Sequence, residues 1–121
     1  MNCIFCKIIN NELPSYTIYE DEIARIFLDV NPDSNGHLLI IPKKHITDLN
    51  DMDNLTLIHI MELAKKHRQI LEKKLNIDGL TLIQNNGMIQ DVKHYHLHLK
   101  PYYKEKQKIL PVEEVYNQII N

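Results

Sequence analysis

The sequence predicts an α+β domain, in which one long helix covers one face of an antiparallel sheet of about five strands and short helices lie at the termini. Two observations carry this prediction. Several short stretches are rich in β-branched and aromatic residues and are separated by turn-forming residues, as strands are. One long stretch has apolar residues at helical spacing. The 121 residues suffice for one core, so we expect a single domain over residues 1–121.

The first half of the chain supplies three strands. Tyr16–Glu20 and Glu22–Asp29 flank an acidic turn, and the second stretch contains isoleucine and phenylalanine, which favour strands. Residues 30–36 are dense in turn-forming residues and predict a surface loop. His37–Pro42 is continuous and apolar enough for a strand in the middle of the sheet, and its proline ends it.

A long helix follows these strands. Asp53 or Asn54 can cap its start, and the apolar spacing runs to about Leu75, with lysine and arginine crowded on the other face. His59 and His67 belong to this helix. We expect both at its surface or boundary, and not as ligands.

The last part of the chain predicts two more strands and a helix. Leu80–Asn85 forms one strand, which ends in Asn-Asn-Gly, and the histidine-rich stretch His94–Leu99 forms the other. Leu110–Ile120 predicts a short C-terminal helix, with Pro111 in its first turn.

The stretch His94–Leu99 alternates three histidines with a tyrosine and two leucines, the period-2 pattern of a half-buried strand. On such a strand the side chains of His94, His96 and His98 point to one face, and the tyrosine and leucine side chains point to the other face and can pack in a core. At ~3.3 Å per residue, the Cα atoms of His94 and His98 lie roughly 13 Å apart, too far for three imidazoles to bind one zinc at about 2.0–2.1 Å. We therefore interpret the row as a central histidine with a neighbour on each side.

Charge and hydropathy argue against some classes of protein. The net charge is −2 with neutral histidines, so we expect no binding to nucleic acid. The longest apolar run, Leu38–Ile41, is too short to span a bilayer, and the first residues lack the pattern of a signal peptide. We therefore expect a cytoplasmic protein with no membrane segment, whose two cysteines are thiols or metal ligands and not a structural disulfide.

Cys3 and Cys6 form a Cys-x-x-Cys motif. Such a pair supplies two of four zinc ligands, and histidines elsewhere could complete the site. A pair of buried small residues is one alternative. A redox pair is another, although no strand precedes the motif as in a thioredoxin-like unit. The spacing alone leaves these interpretations open.

Polar residues beside the histidine row favour an anion site. Asn85, at the end of one predicted strand, and Gly87 and Gln90, in the loop before the next, can hold a phosphate through N–H groups, although Asn-Gly alone also predicts a simple hairpin turn. A neutral imidazole can act as a nucleophile or a general base, and no serine or cysteine is paired with the row. His96, in its middle, is therefore the candidate for the chemistry. Asp29, at a strand end, is by itself the cap of the next turn.

The series Gln90-x-Val92-x-His94-x-His96-x-His98 resembles the signature of the histidine-triad (HIT) family. The resemblance extends over most of the chain, from about Cys3 to Pro101. Four further segments lie in the family's order: Phe27–Asp29, His37–Pro42, Lys43–His45 and Asn85–Gly87. The most similar branch is that of small bacterial HIT proteins related to purine nucleoside phosphoramidases and dinucleoside polyphosphate hydrolases.

The resemblance implies a nucleotide hydrolase or transferase. His96 would attack the α-phosphorus of a nucleoside phosphoramidate or dinucleoside polyphosphate and form a nucleotidyl-histidine, from which water releases a purine nucleoside monophosphate. His98 would donate to a phosphate oxygen, where charge grows in the transition state. Asn85 and Gln90 would hold the phosphate and orient the leaving group. Asp29 would accept from the ribose hydroxyls.

The resemblance also implies an apolar pocket for the purine base. Its walls would be formed by Phe5, Ile8, Phe27, Leu28 and Val30. The family forms homodimers whose sheets join, so we expect a homodimer.

A structural zinc is implied as well, because some family members with an N-terminal Cys-x-x-Cys bind one. The ligands carried over to this sequence are Cys3, Cys6, His45 and His94. These four ligands would fill every position of a tetrahedral zinc, so the metal would have no open position for water. The zinc would therefore be structural, and the chemistry would require no cofactor.

Two positions depart from the family's pattern. Only Met88 and Ile89 separate Asn85–Gly87 from Gln90, where the family often has a longer segment that ends in glycine, so the phosphate loop would differ in shape. Asp91 stands where the family often has serine or threonine beside the leaving group. We count Asp91 among the nucleotide-binding residues, although a carboxylate there would repel phosphate unless it is protonated or turned away.

Two other classes of protein remain open. A purine-nucleotide sensor or partner protein with little turnover would use the same pocket. A redox or catalytic-metal protein would need a metal at His96 and His98, or a reversible disulfide between Cys3 and Cys6.

Overall fold

The computed structural model describes residues 2–121, which form three α-helices and one five-stranded sheet. In chain order these elements are α1 (Ile4–Ile9), β1 (Thr17–Glu20), β2 (Ala24–Leu28), β3 (Leu38–Pro42), α2 (Asn54–Leu75), β4 (Gly79–Ile83), β5 (Leu97–Tyr102) and α3 (Val112–Ile120). The strand order is β1-β2-β3-β5-β4, and all neighbouring strands are antiparallel. The predicted α+β class, with one long helix and short terminal helices, is confirmed, and β3 lies in the middle of the sheet as expected.

One face of the sheet forms the main core with α2 and α3. In its cross-strand register, Ile26 lies opposite Ile40, and Ile40 lies opposite Leu97. These side chains are buried together with Tyr95 and Leu99, as expected for the apolar half of the histidine row. Because alternate residues of a strand point to opposite faces, the remaining strand residues line the other face.

The other face of the sheet is covered by α1. There Phe27 lies opposite Leu39, and Leu39 lies opposite His98. Phe5 and Ile8 of α1 are buried in the same cluster as Phe27 and Leu39. The short N-terminal helix therefore packs over the face that carries His98.

The long helix α2 begins and ends as its sequence predicts. The side chain of Asp53 accepts from the N–H of Thr56 at 3.0 Å, and Asn76 ends the helix in the left-handed conformation, with φ of 53°. The predicted surface or boundary position of His67 is wrong. Its side chain is buried. The fold tolerates this polar ring in the core because its Nδ1–H has a hydrogen-bond acceptor there, the backbone oxygen of Leu63 at 2.9 Å.

The strand predicted for the histidine row begins later than expected. β5 starts at Leu97, so His94 and His96 lie in the segment before the ladder. The N–H of Tyr95 donates to the backbone oxygen of Ile46 at 2.7 Å, outside any strand pair. A long-range backbone hydrogen bond outside the sheet therefore replaces the regular ladder between the first two histidines.

The predicted bounds of β1, β2, β3, β4, α2 and α3 agree with the structure within two residues, whereas β5 continues to Tyr102, three residues past the predicted end at Leu99. Pro111 is the cap of α3 and not a residue of its first turn. His59 lies at a boundary as expected, with Nε2 2.7 Å from Oδ2 of Asp21. Within residues 2–121, each helix is too short or too polar to cross a membrane.

Candidate functional site

A cavity of about 320 Å³ lies on the face of the sheet that α1 covers. Nine of the predicted nucleotide-binding residues line it: Phe5, Ile8, Phe27, Leu28, Asp29, Val30, Asp91, His96 and His98. Six residues that had no predicted role in nucleotide binding complete the walls: Ile4, Leu13, Pro14, Ser15, Leu39 and Val92. Of these, Leu39 could be inferred from the sequence pattern, because the alternation of side chains along β3 places it on this face. The volume and the mostly apolar walls are typical of a site for a small organic ligand.

The ring of His96 is held in one orientation at this cavity. Its Nδ1–H donates to the backbone oxygen of His94 at 2.8 Å, so the lone pair of the neutral ring lies on Nε2. The rings of Phe5 and His98 pack against it, with centroid separations of 5.1 and 5.0 Å. Oδ1 of Asp91 lies 3.3 Å from Nε2. His96 therefore has the tautomer of a nitrogen nucleophile.

The proton of His98 is positioned by His37. The backbone N–H of Asp33 donates to Nδ1 of His37 at 3.1 Å, so the ring proton of neutral His37 lies on Nε2 and donates to Nδ1 of His98 at 2.9 Å. His98 then carries its own proton on Nε2. Burial, followed by the neighbouring His96 and His37, lowers the pKa of His98 to about 4. Burial also lowers the pKa of His37, so both rings are neutral at pH 7.

The two carboxylates of the cavity have different surroundings. Oδ1 of Asp29 accepts from the N–H of Asn31 at 2.9 Å, and Oδ2 lies 3.6 Å from Nε2 of His37. The side chain of Asp91 is 77% exposed, and its Oδ1 accepts from the N–H of Val92 at 2.9 Å. Among the described residues, no lysine or arginine lines the cavity. A ligand there meets two carboxylates and no cationic side chain.

Asn85 and Gln90 do not line the cavity. Gln90 is buried, and its Nε2 donates to the backbone oxygen of Thr47 at 2.7 Å, while its Oε1 has no protein donor within residues 2–121. Between them Gly87–Ile89 forms a turn of 3₁₀-helix, in which Met88 is 98% exposed. A contact of either amide with phosphate therefore stays a prediction.

Cys3, Cys6, His45 and His94 form a second cluster, whose ligand atoms lie within 4.8 Å of one another. Sγ of Cys3 lies 3.4 Å from Nδ1 of His94, and Sγ of Cys6 lies 3.2 Å from Nδ1 of His45. The two Nδ1 atoms are 3.2 Å apart. Tetrahedral zinc, with bonds of about 2.0–2.1 Å to nitrogen and about 2.3 Å to sulfur, spaces such ligands by roughly 3.3–3.8 Å. The geometry of the cluster therefore fits one zinc ion.

The protonation of the ligand atoms in this cluster also bears on metal binding. The Nε2–H of His94 donates to the backbone oxygen of Pro42 at 2.8 Å, which leaves the lone pair on Nδ1. Burial and the adjacent Cys3 raise the pKa of the Cys6 thiol to about 11, so a cation would be needed to hold this sulfur as a thiolate at neutral pH.

The cluster and the cavity meet at α1. Sγ of Cys3 caps this helix by accepting from the N–H of Cys6 at 3.4 Å. The ring of Phe5, in its first turn, lies edge-on to both His94 and His96, with centroid separations of 5.9 and 5.1 Å. Fixing the two cysteines therefore also fixes a wall of the cavity.

Comparison with known protein families agrees with this geometry. The family model described as the HIT domain matches residues 10–105. The chain belongs to the HIT family. The three histidines of this HIT protein have three different environments, because His94 joins the cysteines, His96 faces the cavity and His98 pairs with His37.

Three similar proteins illustrate the relationship. An uncharacterized HIT-like protein of Methanocaldococcus jannaschii is 42% identical over 117 residues, which cover 95% of this chain and 90% of that protein. The adenosine 5'-monophosphoramidase HNT1 of Saccharomyces cerevisiae is 42% identical over 110 residues, 89% of this chain and 67% of that protein. A zinc-bound histidine triad family protein from Mycobacterium smegmatis matches with a TM-score of 0.90 at 32% identity, over 99% of this chain and 91% of that one.

Proposed function

We propose that this HIT protein is a nucleotide hydrolase that cleaves at the α-phosphate of nucleoside phosphoramidates or dinucleoside polyphosphates and releases a purine nucleoside monophosphate. The observation that carries the proposal is the ring of His96, whose Nδ1–H donates to the backbone while its Nε2 faces the cavity, next to the exposed carboxylate of Asp91. A histidine nucleophile needs this division between its nitrogens. Identity of 42% with a yeast adenosine 5'-monophosphoramidase supports the same chemistry.

The reaction has two displacements at phosphorus. First, Nε2 of His96 forms a bond to the α-phosphorus, and the electron pair of the breaking bond goes to the leaving atom, which takes up a proton from solvent when it is an amine nitrogen. Next, a water oxygen bonds to phosphorus, the N–P electron pair returns to Nε2, and the water gives up one proton. The Nε2–H of His98 donates to a non-bridging oxygen in both steps. Asn85 and Gln90 are assigned to the phosphate and the leaving group.

The nucleoside is assigned to the apolar part of the cavity. Burial of a purine against aromatic and aliphatic side chains supports this assignment. The walls concerned are Phe5, Ile8, Phe27, Leu28 and Val30. Asp29 is assigned to the ribose hydroxyls, because its carboxylate lines the cavity and can accept from both of them.

We also propose a structural zinc ion on Cys3, Cys6, His45 and His94. The fit of the ligand separations and the zinc-bound homologue from Mycobacterium smegmatis support it. When bound, the metal would cross-link α1 to the segments that carry the two histidines. It needs no part in the chemistry, since a closed four-ligand site has no open position.

A cytoplasmic homodimer completes the proposal. β4 lies at an edge of the sheet and exposes Leu82, and α2 exposes Leu55 and Ile58. An edge strand with unpaired backbone groups can extend into the sheet of a second copy, and exposed apolar side chains favour such an interface. Sedimentation analysis of the purified chain tests the dimer.

The test of the function is turnover. Purified protein is incubated with adenosine 5'-phosphoramidate and with diadenosine triphosphate, and release of AMP is followed together with the dissociation constant of AMP. Multiple turnovers on one of these substrates support the hydrolase. Tight binding of AMP without turnover on either supports the alternative function, that of a purine-nucleotide sensor, which the same cavity would serve.

A further inference from the structure

A groove of about 460 Å³ adjoins the cavity at Asp91. Ile4, Asp91 and Val92 line both spaces, whereas Lys93 lines only the groove. For a substrate whose nucleoside fills the cavity and whose phosphorus lies at His96, this junction lies next to the phosphorus, because Asp91 is beside Nε2 of His96. The groove is therefore positioned to receive the leaving group.

We propose that this groove is the leaving-group subsite and that Asp91 selects amine leaving groups over phosphate leaving groups; the proposal rests on the hydrolase function proposed above. Oδ1 of Asp91 lies 3.3 Å from Nε2 of His96, within the separation of about 3–3.5 Å at which reacting atoms meet. An entering phosphorus therefore displaces the carboxylate. Because the side chain is short and 77% exposed, it turns aside without repacking and stays next to the bond that breaks.

The charge of Asp91 decides which leaving group is stabilised there. A departing amine offers N–H donors, and its nitrogen carries positive charge while it holds the extra proton before the P–N bond is fully broken, so the carboxylate accepts from it and balances that charge. A departing nucleoside polyphosphate offers only acceptors and brings negative charge beside a second negative charge. Cys3 and His45, two ligands of the proposed zinc, also line the groove. Lys93 is the one described lysine or arginine there, and its Nζ already donates to the backbone oxygen of Gly87 at 2.6 Å.

The bond changes are those of the first displacement. Nε2 of His96 bonds to phosphorus, the P–N bond breaks, and its electron pair goes to the amine nitrogen. That nitrogen takes one proton from solvent through the exposed groove before the P–N bond is fully broken, so the amine leaves neutral, and no proton passes to or from Asp91. Asp91 thus acts by charge and hydrogen bonding, and it does not supply the proton.

The test compares two leaving groups in a matched set of variants. Values of kcat/KM are measured for adenosine 5'-phosphoramidate and for diadenosine triphosphate in the wild type, Asp91→Asn, Asp91→Ser and Asp51→Asn. Asp51 is an exposed carboxylate that lines neither the cavity nor the groove, so its variant controls for net charge. The ratio of the two kcat/KM values is the readout, because a merely structural role of Asp91 would lower both together.

We expect the kcat/KM for the phosphoramidate, divided by that for the triphosphate, to fall by about tenfold or more in both Asp91 variants, because each removes one unit charge near the reacting group. This ratio should stay unchanged in Asp51→Asn. A ratio that stays within about twofold of the wild type in Asp91→Asn overturns the selection by Asp91 and leaves the hydrolase intact. Wild-type turnover of both substrates by His96→Asn overturns the proposed hydrolase mechanism instead, and the two failures are therefore distinct.

Discussion

His37 and His98 are joined by a hydrogen bond of 2.9 Å between Nε2 of the first and Nδ1 of the second. The backbone N–H of Asp33, at 3.1 Å from Nδ1 of His37, fixes the direction of that bond. The outcome is a neutral His98 whose Nε2–H is available to the cavity. A positioned donor beside His96 can stabilise the charge that grows on a phosphate oxygen during transfer of a nucleotidyl group.

Replacing His37 is expected to disturb the tautomer of His98. In His37→Phe, His98 loses the partner that holds its proton on Nε2, and kcat should fall by about tenfold to a hundredfold, within the cost of one lost transition-state donor. His37→Gln keeps an N–H donor and should retain more of the activity. The ¹⁵N chemical shifts of the His98 ring report its tautomer, and wild-type shifts with full activity in His37→Phe would contradict this role.

Asp29 is expected to set the preference for ribose. In Asp29→Ala the carboxylate no longer accepts from the hydroxyls, so discrimination between adenosine and 2'-deoxyadenosine phosphoramidates in kcat/KM should shrink by about tenfold, the value of a hydrogen bond to a charged group. Asp29→Asn can keep the turn bond to the N–H of Asn31 and serves as the control for loop geometry. Equal discrimination in the wild type and Asp29→Ala would rule out the ribose contact.

Metal content tests the cysteine and histidine cluster. Protein purified from zinc-supplemented cells should contain about one zinc per chain by elemental analysis, since four ligands satisfy one tetrahedral ion. Cys6→Ala should lose that zinc and melt at a lower temperature, because a ligand bound only by the folded state stabilises it. His59→Asn, outside the cluster, should keep the metal. Equal zinc content in Cys6→Ala and the wild type would contradict the assignment.

His67 should make stability depend on pH below neutrality. Burial lowers its pKa, so in the unfolded chain the ring binds a proton at a higher pH than in the fold. The free energy of unfolding therefore falls as pH drops below about 6.5, where the unfolded histidine becomes charged. Urea unfolding between pH 7 and 5 should show a smaller slope in His67→Gln, by at most about 1.4 kcal/mol per pH unit. An identical slope in both proteins would count against this linkage.

The local elements were predictable because their signals are local. The apolar run of β3, the cap at Asp53 and the helical spacing up to Leu75 all lie within the segments that they describe. The strand start at Leu97 was missed because the hydrogen bond from the N–H of Tyr95 reaches Ile46, far away in the sequence. His67 was misplaced because one backbone carbonyl satisfies its ring inside the core.

The site was predictable only in part, because it depends on strand register. Leu39 lies opposite His98, and His37 precedes Leu39 by two residues on the same face, so period 2 places it beside His98 once the register is known. No local pattern supplies that register. Likewise, the four residues of the zinc proposal were named from family resemblance, since spacing alone gave only Cys3 and Cys6.

The central claim is that His96 is the nucleophile, and one measurement tests it most directly. Release of AMP from adenosine 5'-phosphoramidate is compared between the wild type and His96→Asn, with AMP affinity measured in the same samples and His59→Asn as the control. We predict a loss on the order of a thousandfold or more in turnover for His96→Asn, as for removal of a covalent nucleophile, with AMP still bound. Turnover by His96→Asn close to that of the wild type would contradict the account.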